Sequence, residues 1–182
     1  GLGVEGTGWV AAPNLVVTNA HVVAGMKDAR VDRGEGEGDA AEAEVVLFNP
    51  RDDIAVLRVR GLRAAPLRST DPVEGTGVAI LGYPENGPFT AVAGRIGQTS
   101  VVLTDDAYGR GPIRRRITTL RGEVRHGNSG GPAVDIRGRV HTTIFASRVG
   151  GEGQGYGVPT ALVREELAAA GAREVSTGPC VG

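Results

Sequence analysis

Short apolar stretches recur along this chain, and glycine, proline, asparagine or aspartate separates nearly every pair of them. With 30 glycines and 10 prolines in 182 residues, the chain has material for many turns without the composition of a disordered protein. This spacing favours an all-β sandwich or barrel over alternating strands and helices. We predict strands at 7–11, 15–18, 42–48, 54–59, 77–81, 90–98, 100–104, 116–120, 132–134, 140–146 and 155–158.

One long helix is predicted near the end of the chain. Thr160 is a candidate N-cap, acidic residues lie in the early turns, and Gly171 stands where a C-cap glycine belongs. A single helical turn is predicted at 20–25, after the second strand. The long helix is amphipathic and could close one end of a barrel.

An aperiodic segment at 62–75, rich in Arg, Pro and Ser, divides the strands into two groups of similar size. We therefore predict two barrels at 1–65 and 76–158, a linker at 66–75, a helix at 159–171 and a tail at 172–182. The Gly/Glu-rich segment 33–39 is predicted as a solvated loop. Residues 104–116, with four arginines, are predicted as a longer mobile loop.

Charge and hydropathy limit the possible partners. The net charge is −1, so we expect no nucleic-acid partner. No apolar run approaches the roughly 18 to 20 residues that span a bilayer, and we interpret the chain, which opens on Gly1, as a processed form or excised domain. The single cysteine, Cys180, is either a free thiol or half of a disulfide whose partner lies outside this sequence.

The segment 125–132 (RHGNSGGP) places Ser129 between glycines on a predicted turn. Glycines permit backbone geometry that other side chains block, and they let a substrate approach the main chain. Gly/Ser clusters are usually ordinary loops, and a serine hydroxyl is a poor nucleophile unless a base takes its proton. A catalytic role for Ser129 therefore requires a histidine.

Three histidines are candidates for that base. His21 lies where a strand passes into a helical turn, which would hold its ring at a barrel mouth; a buried histidine satisfied by the backbone is the alternative. His126 shares the turn of Ser129 and is predicted at the rim of the site. His141 follows a hairpin and is predicted at the surface.

A base of this kind needs an acceptor on its second ring nitrogen. Asp52 and Asp53 stand directly before the apolar strand at 54–59. A carboxylate that enters a buried strand is costly unless it is paired, whereas Asp52 fits an exposed turn. Asp53 is therefore the preferred orienting residue, and Asp52 is the second choice.

These motifs resemble the chymotrypsin-like serine proteases, specifically the bacterial trypsin-like branch that includes the HtrA proteases. The segments 18–23 (TNAHVV), 53–57 (DIAVL) and 127–132 (GNSGGP) occur in the order His, Asp, Ser. Further similarity, closest to the actinobacterial membrane-anchored periplasmic acid-resistance proteases, lies at 6–10 (GTGWV), 78–84 (VAILGYP), 106–109 (DAYG), 119–121 (TLR) and 177–180 (TGPC).

The resemblance implies two six-stranded antiparallel β-barrels and a serine endopeptidase with His21, Asp53 and Ser129 as its triad. The N–H groups of Gly127 and Ser129 would form the oxyanion hole. By the same resemblance the substrate pocket is lined by Glu123, His126, Phe145, Ser147 and Tyr156, and Glu123 could favour a basic side chain or simply be paired. The residue before the nucleophile is Asn128, not the Asp that pairs with a new N-terminus in many relatives, so no zymogen cleavage of that type is expected.

The subgroup also implies a setting for the enzyme. The parent protein would be anchored by N-terminal transmembrane helices outside this sequence, with this domain on the periplasmic or extracytoplasmic face and a role in acid resistance and stress response. Cys180 would be half of a disulfide to a cysteine before Gly1. We expect protein or peptide substrates, a monomer, and no cofactor or metal. A catalytically silent module of the same fold that binds peptides by strand addition is the alternative.

Overall fold

The computed structural model describes residues 6–32, 40–147 and 153–180. Strands dominate it, so the all-β prediction with a C-terminal helix is confirmed. The elements are β1 (Trp9–Ala12), β2 (Leu15–Thr18), α1 (Ala20–Val23), β3 (Ala29–Asp32), β4 (Ala40–Asn49), β5 (Ile54–Arg58), β6 (Gly77–Gly82), a 3₁₀ turn (Pro84–Asn86), β7 (Thr90–Thr104), β8 (Ile113–Gly122), β9 (Pro132–Val134), β10 (Val140–Ser147), β11 (Gln154–Pro159) and α2 (Thr160–Ala169).

The first half forms an antiparallel sheet in the order β1-β2-β5-β4-β3. Its central strand, β5, is an apolar run with four buried residues, as expected of a strand covered on both faces. Within the described residues this sheet has five strands and is not closed, in contrast to the predicted six-stranded barrel. Strand β3 was not predicted because its sequence, ARVD, is short and alternates with charged residues. The predicted loop at 33–39 lies outside the described residues.

The second half closes into a six-stranded antiparallel barrel in the order β10-β11-β8-β7-β6-β9. The two strands predicted at 90–98 and 100–104 are one continuous strand, β7, with a register shift between Ile96 and Thr99. Strand β8 begins at Ile113. The prediction of a mobile loop over 104–116 is therefore wrong at its end, because residues 114–116 pair with β7.

One hydrophobic cluster joins the two halves. Its buried members come from the sheet, the barrel and helix α2: Trp9, Val17, Val46, Ile54, Val56, Val134, Val140, Val158 and Val163. The indole N–H of Trp9 also donates a 3.0 Å hydrogen bond across the seam to the hydroxyl of Thr143. Because interiors of this kind are close-packed, side chains presented at the seam have little freedom to shift.

The segment between sheet and barrel is bonded to both. The N–H of Leu67 donates to the carbonyl of Val10 in β1, at 2.8 Å. Thr70 donates to the carbonyl of Val140 in β10, and Val140 donates back to Arg68. The segment predicted as a linker at 66–75 thus adds to the contact between the halves, and the predicted domain limits stay predictions.

Helix α2 begins one residue earlier than an N-cap at Thr160 requires. Pro159 occupies the N-cap position and Thr160 is the first helical residue, with its hydroxyl donated to the carbonyl of Thr70. Ala170 is the C-cap and Gly171 follows it at C′, the position of a terminating glycine, so only the predicted N-cap is displaced by one residue. No helix of the described residues is long and apolar enough to cross a bilayer.

The C-terminal segment after α2 lies along the first sheet. The N–H of Val175 donates to the carbonyl of Val45 at 2.8 Å, and the hydroxyl of Thr177 donates to Met26 at 3.0 Å. Tyr108, from the β7–β8 loop, donates its hydroxyl to the carbonyl of Thr177 at 2.7 Å. The part of the tail that is described is therefore docked on the fold by specific hydrogen bonds.

Candidate active site

His21 and Asp53 are hydrogen-bonded at the seam between the halves. Ring atom Nδ1 of His21 lies 2.8 Å from Oδ2 of Asp53, and the backbone N–H of His21 donates to Oδ1 at 2.9 Å. The short helix α1, directly after β2, presents His21, whose side chain is 26% exposed. A carboxylate only accepts hydrogen bonds when ionised, so it directs the ring hydrogen to Nδ1 and leaves Nε2 as the acceptor.

The turn before β5 presents Asp53 with a fixed backbone. Asp53 has a φ of +57°, a left-handed conformation that is uncommon outside glycine. The buried amide of Asn19 donates to the carbonyl of Asp53 at 2.9 Å. Asp52 instead bonds to Asn49 within the turn. Of the two sequence candidates, Asp53 is therefore the one that meets His21.

Ser129 lies on the loop between β8 and β9, beside the segment that carries His21. A Cβ on Gly130 would stand 3.1 Å from Cα of Thr18, the last residue of β2. A Cβ on Gly6 would approach both the carbonyl of Ser129, at 2.9 Å, and the side chain of Val22. The glycines around Ser129 are thus required by close packing, and they bring its backbone against the neighbours of His21.

Thr7 connects the start of the first sheet to this loop. Its N–H donates to the carbonyl of Ser129 at 2.7 Å, and its hydroxyl donates to the carbonyl of Gly127 at 2.6 Å. The same hydroxyl accepts the N–H of Tyr83 at 3.1 Å. The carbonyl of Thr7 accepts the hydroxyl of Thr18 at 2.8 Å, so one buried residue bonds to three segments of the site.

The peptide between His126 and Gly127 has a defined orientation. The N–H of Glu85, in the 3₁₀ turn after β6, donates to the carbonyl of His126 at 2.8 Å. Because a trans peptide directs its N–H opposite to its carbonyl, the N–H of Gly127 points away from Glu85. No acceptor in the described part of the chain takes the N–H of Gly127 or of Ser129.

The residues predicted to line the pocket differ in their surroundings. The carboxylate of exposed Glu123 accepts two hydrogen bonds from Arg125, at 2.8 and 2.6 Å, so the paired interpretation of Glu123 holds. His126 is exposed, as expected of a rim residue. Phe145 and Tyr156 stack with their ring centroids 6.3 Å apart. The side chain of Ser147 lies outside the described part.

His141 is buried, so the prediction that it lies at the surface is wrong. It is 2% exposed, and its Nε2 lies 3.2 Å from Oδ2 of Asp135, a carboxylate that Arg139 also bonds at 2.8 Å. Burial raises the pKa of Asp135, but the hydrogen bonds from Arg139, His141 and Arg137 outweigh it and hold that pKa well below its ordinary value. The cluster stabilises the β9–β10 turn.

Cys180 is a free, exposed thiol in the structure. It lies against Gly25, where a Cβ would come within 2.5 Å of its sulfur.

Among the described residues, no three His, Cys, Asp or Glu side chains are grouped so that they could hold a metal ion.

Three site residues were not singled out from the sequence. Thr7 and Asn19 lie in the quoted motifs GTGWV and TNAHVV, but their hydrogen bonds reach segments that no spacing rule connects to them. Glu85 acts through its backbone N–H and leaves no side-chain signal at all. The unusual φ of +55° at Glu85 is visible only in the structure.

The sequence is similar to a known protein family and to curated serine proteases. The trypsin-like peptidase domain matches residues 6–141. Serine protease Rv3671c of Mycobacterium tuberculosis is 38% identical over 182 residues, which cover 98% of this chain and 45% of the relative. A probable periplasmic DegP-like serine endoprotease of Ectopseudomonas mendocina is 30% identical over 181 residues, 91% of this chain and 35% of the relative. The chain spans less than half of either relative.

Solved structures of the Rv3671c protease have the same fold as this chain. The active form of the Rv3671c protease superposes with a TM-score of 0.89 at 37% identity, over 97% of this chain and 78% of that one. An inactive form of the same protease gives 0.79 at 36% identity, over 92% and 84%. From its strands, its His–Asp pair and these similarities, the chain belongs to the trypsin-like serine protease family.

Proposed function

We propose that this chain hydrolyses peptide bonds as a serine endopeptidase, with Ser129 as nucleophile, His21 as general base and Asp53 as the residue that orients His21. The observation that carries the proposal is the 2.8 Å contact between His21 Nδ1 and Asp53 Oδ2. That contact leaves Nε2 of His21 as the nitrogen able to accept a proton. Nε2 has no hydrogen-bond partner in the described part of the chain, so it is available.

The reaction runs through an acyl-enzyme. Ser129 Oγ attacks the scissile carbonyl carbon while Nε2 of His21 takes the hydroxyl proton, and the carbonyl π electrons move to oxygen. The tetrahedral intermediate then expels the amine, which receives the proton from His21. Water repeats the sequence on the ester and releases the acid. Asp53 stays ionised throughout and stabilises the imidazolium.

The N–H groups of Gly127 and Ser129 form the proposed oxyanion hole. Support comes from the bond between Glu85 N–H and the His126 carbonyl, which keeps that carbonyl from occupying the hole. The higher TM-score against the active form of Rv3671c than against an inactive form supports the same state. Removing one such donor typically costs about 2.7 to 4 kcal/mol of transition-state stabilisation.

The proposed substrates are proteins or peptides, without a selectivity for basic side chains from Glu123. A carboxylate in the primary pocket would attract lysine or arginine, but Arg125 already engages Glu123. The positive charge of Arg125 therefore offsets the negative charge of Glu123 within the protein. Phe145 and Tyr156, the aromatic residues predicted for the pocket, stack on each other and would offer it an apolar surface.

We also propose that the domain acts on the periplasmic or extracytoplasmic face of a membrane, as part of a longer anchored protein with a role in stress. The similarity to a relative named periplasmic, and the fact that the chain spans less than half of its relatives, support this setting. The exposed thiol of Cys180 is accessible to the proposed disulfide partner.

Hydrolysis of an unfolded protein substrate tests the proposal. We expect the wild type to cut the substrate, and Ser129→Ala and His21→Ala to lose the activity while keeping their thermal unfolding midpoints within a few degrees. Ser100→Ala, in β7, is the matched control and should retain full activity. Cleavage by Ser129→Ala at the wild-type rate would overturn the proposal.

A further inference from the structure

Arg115 is a buried arginine that belongs to no part of the mechanism described so far. It lies in β8 and is only 4% exposed, an unusual state for a charged side chain unless its hydrogen bonds are satisfied. Its neighbours in the sequence, Arg114 and Arg116, are exposed, as the alternation of a strand requires. Arg115 is thus directed to the face of β8 opposite to Arg114 and Arg116, where it reaches the turn of Asp52.

The guanidinium reaches the turn that carries Asp53. One NH₂ group donates to the carbonyl of Asp52 at 3.0 Å and the other donates to the carbonyl of Asp105 at 3.0 Å. The carbonyl of Asp52 belongs to the same peptide group as the N–H of Asp53. Arg115 therefore fixes the plane of the peptide immediately before Asp53.

This matters because Asp53 has an unfavourable backbone conformation. Its φ of +57° costs free energy at a residue other than glycine, so restraints on the adjoining peptides help to maintain it. Asn19 restrains the following peptide through its 2.9 Å bond to the carbonyl of Asp53. Arg115 restrains the preceding peptide through its bond to the carbonyl of Asp52. The two bonds together oppose a rotation about φ of Asp53 that would move its carboxylate away from His21.

The same guanidinium supports a residue of the predicted pocket. Its central carbon lies 4.7 Å from the ring centroid of Phe145, which is the geometry of a cation–π contact. Phe145 in turn stacks on Tyr156. A single buried side chain therefore contacts both the turn of Asp53 and the aromatic wall of the pocket.

The charges that face Arg115 come from its surrounding turns. Burial lowers the pKa of Arg115, and the negative charges of Asp53, Asp52 and Asp106 act against that effect. An arginine side chain retains its charge under such conditions because its ordinary pKa is so high. Arg115 thus contributes a positive charge near the carboxylate of Asp53.

We propose that Arg115 is a positioning residue for the proposed protease reaction, which holds the Asp53 turn and the Phe145 ring in their working arrangement. The proposal rests on the proposed function only for its effect on rate. Its structural content is that the Asp53–His21 hydrogen bond depends on the guanidinium. A lysine at this position keeps the charge but has no planar fork to reach two carbonyls and stack on a ring.

Three variants test it: Arg115→Met, Arg115→Lys and, as the control, Arg116→Met, which removes an exposed arginine from the adjacent strand position. In Arg115→Met we expect kcat/KM to fall by about 10- to 100-fold, as for a small misplacement of a reacting group. Arg115→Lys should also lose rate, because an ammonium group cannot bond both carbonyls and stack on the ring, and Arg116→Met should match the wild type.

A second measurement does not depend on turnover. The ring N–H proton of His21, bonded to Asp53, should give a far-downfield proton NMR signal that shifts upfield and exchanges faster with water in Arg115→Met. If the wild type shows no hydrolysis, the proposed function fails. The NMR signal then tests by itself whether Arg115 supports the His21–Asp53 hydrogen bond. If Arg115→Met does not fold, the same comparison is made with Arg115→Lys, in which a weaker signal is expected. An unchanged signal in the folded variant, or a rate equal to that of Arg116→Met, would overturn the proposal.

Discussion

The hydroxyl of Thr7 donates a 2.6 Å hydrogen bond to the carbonyl of Gly127, a residue 120 positions further along the chain. Thr7 stands just before the first strand of the first sheet, whereas Gly127 belongs to the loop between β8 and β9 that carries Ser129. The contact therefore ties the loop to the half of the molecule that carries His21 and Asp53. The geometry of the proposed oxyanion hole depends on this tie between the halves.

Replacing Thr7 with valine should test that dependence. Valine has nearly the same shape but leaves the carbonyl of Gly127 and the N–H of Tyr83 without their partner, which costs about 1 to 3 kcal/mol in unfolding free energy. We also expect a lower kcat, because the loop is less well held. Urea denaturation and steady-state kinetics measure the two effects, and Thr7→Ser, which keeps the hydroxyl, should restore most of both. Equal kcat in the valine and serine variants would argue against the tie.

Gly127→Ala should reduce activity strongly for a steric reason. Gly127 has a φ of +90°, and a Cβ there would lie 2.4 Å from the carbonyl oxygen of Tyr83. Gly109 is a matched control: its φ is +72°, but a Cβ would meet nothing within 4 Å. Both alanines incur backbone strain, and only the first displaces the loop. We expect kcat/KM to drop by about 100-fold or more for Gly127→Ala, the size of losing an oxyanion-hole donor, and Gly109→Ala to stay close to the wild type.

Asp53→Asn should leave the fold intact and reduce the rate. The amide can present an N–H to Nδ1 of His21, which favours the tautomer with its hydrogen on Nε2, the wrong nitrogen for accepting the proton of Ser129. We expect kcat to fall by about 10⁴-fold, as for the same change in other enzymes of this type. Asp52→Asn, one residue earlier and with a side chain that bonds only to Asn49, should have a small effect. Comparable losses for the two variants would remove Asp53 from its proposed role.

The carboxylate of Asp135 should make the unfolding free energy depend on pH in the acid range. Its pKa is lower in the folded protein than the ordinary 3.8, so its contribution is fully present above about pH 4 and is lost as the pH falls below that value. Asp135→Asn should therefore cost about 1.5 to 3 kcal/mol at pH 7, the range for hydrogen bonds to a charged group. The difference between variant and wild type should shrink steadily below pH 4. Chemical denaturation at a series of pH values measures it, and a constant difference would contradict the assignment.

Much of this architecture could be predicted from local sequence. The turn residues between apolar runs indicated an all-β fold, and the flanks of His21, Asp53 and Ser129 indicated a protease. Asp53 was preferred over Asp52 because a carboxylate entering a buried strand needs a partner. The structure provides that partner in His21.

What could not be predicted depends on contacts between distant segments. Arg115 was assigned to a mobile loop because arginine-rich segments are usually exposed, and its burial is explained by the carbonyls of Asp52 and Asp105 and by the ring of Phe145. His141 was placed at the surface because it follows a hairpin, and its contact with Asp135 forms only when that hairpin folds. Thr160 was expected as a cap, but its hydroxyl bonds to Thr70, 90 residues away.

Labelling with a fluorophosphonate probe is the decisive test of Ser129 as nucleophile, because the probe modifies only a serine activated by a working base and oxyanion hole. We expect one covalent adduct, mapped by mass spectrometry to Ser129, in the wild type and in Ser100→Ala. We expect no adduct in Ser129→Ala and strongly slowed labelling in His21→Ala. A folded wild-type protein that remains unlabelled would rule out an active triad and favour a catalytically silent peptide-binding module.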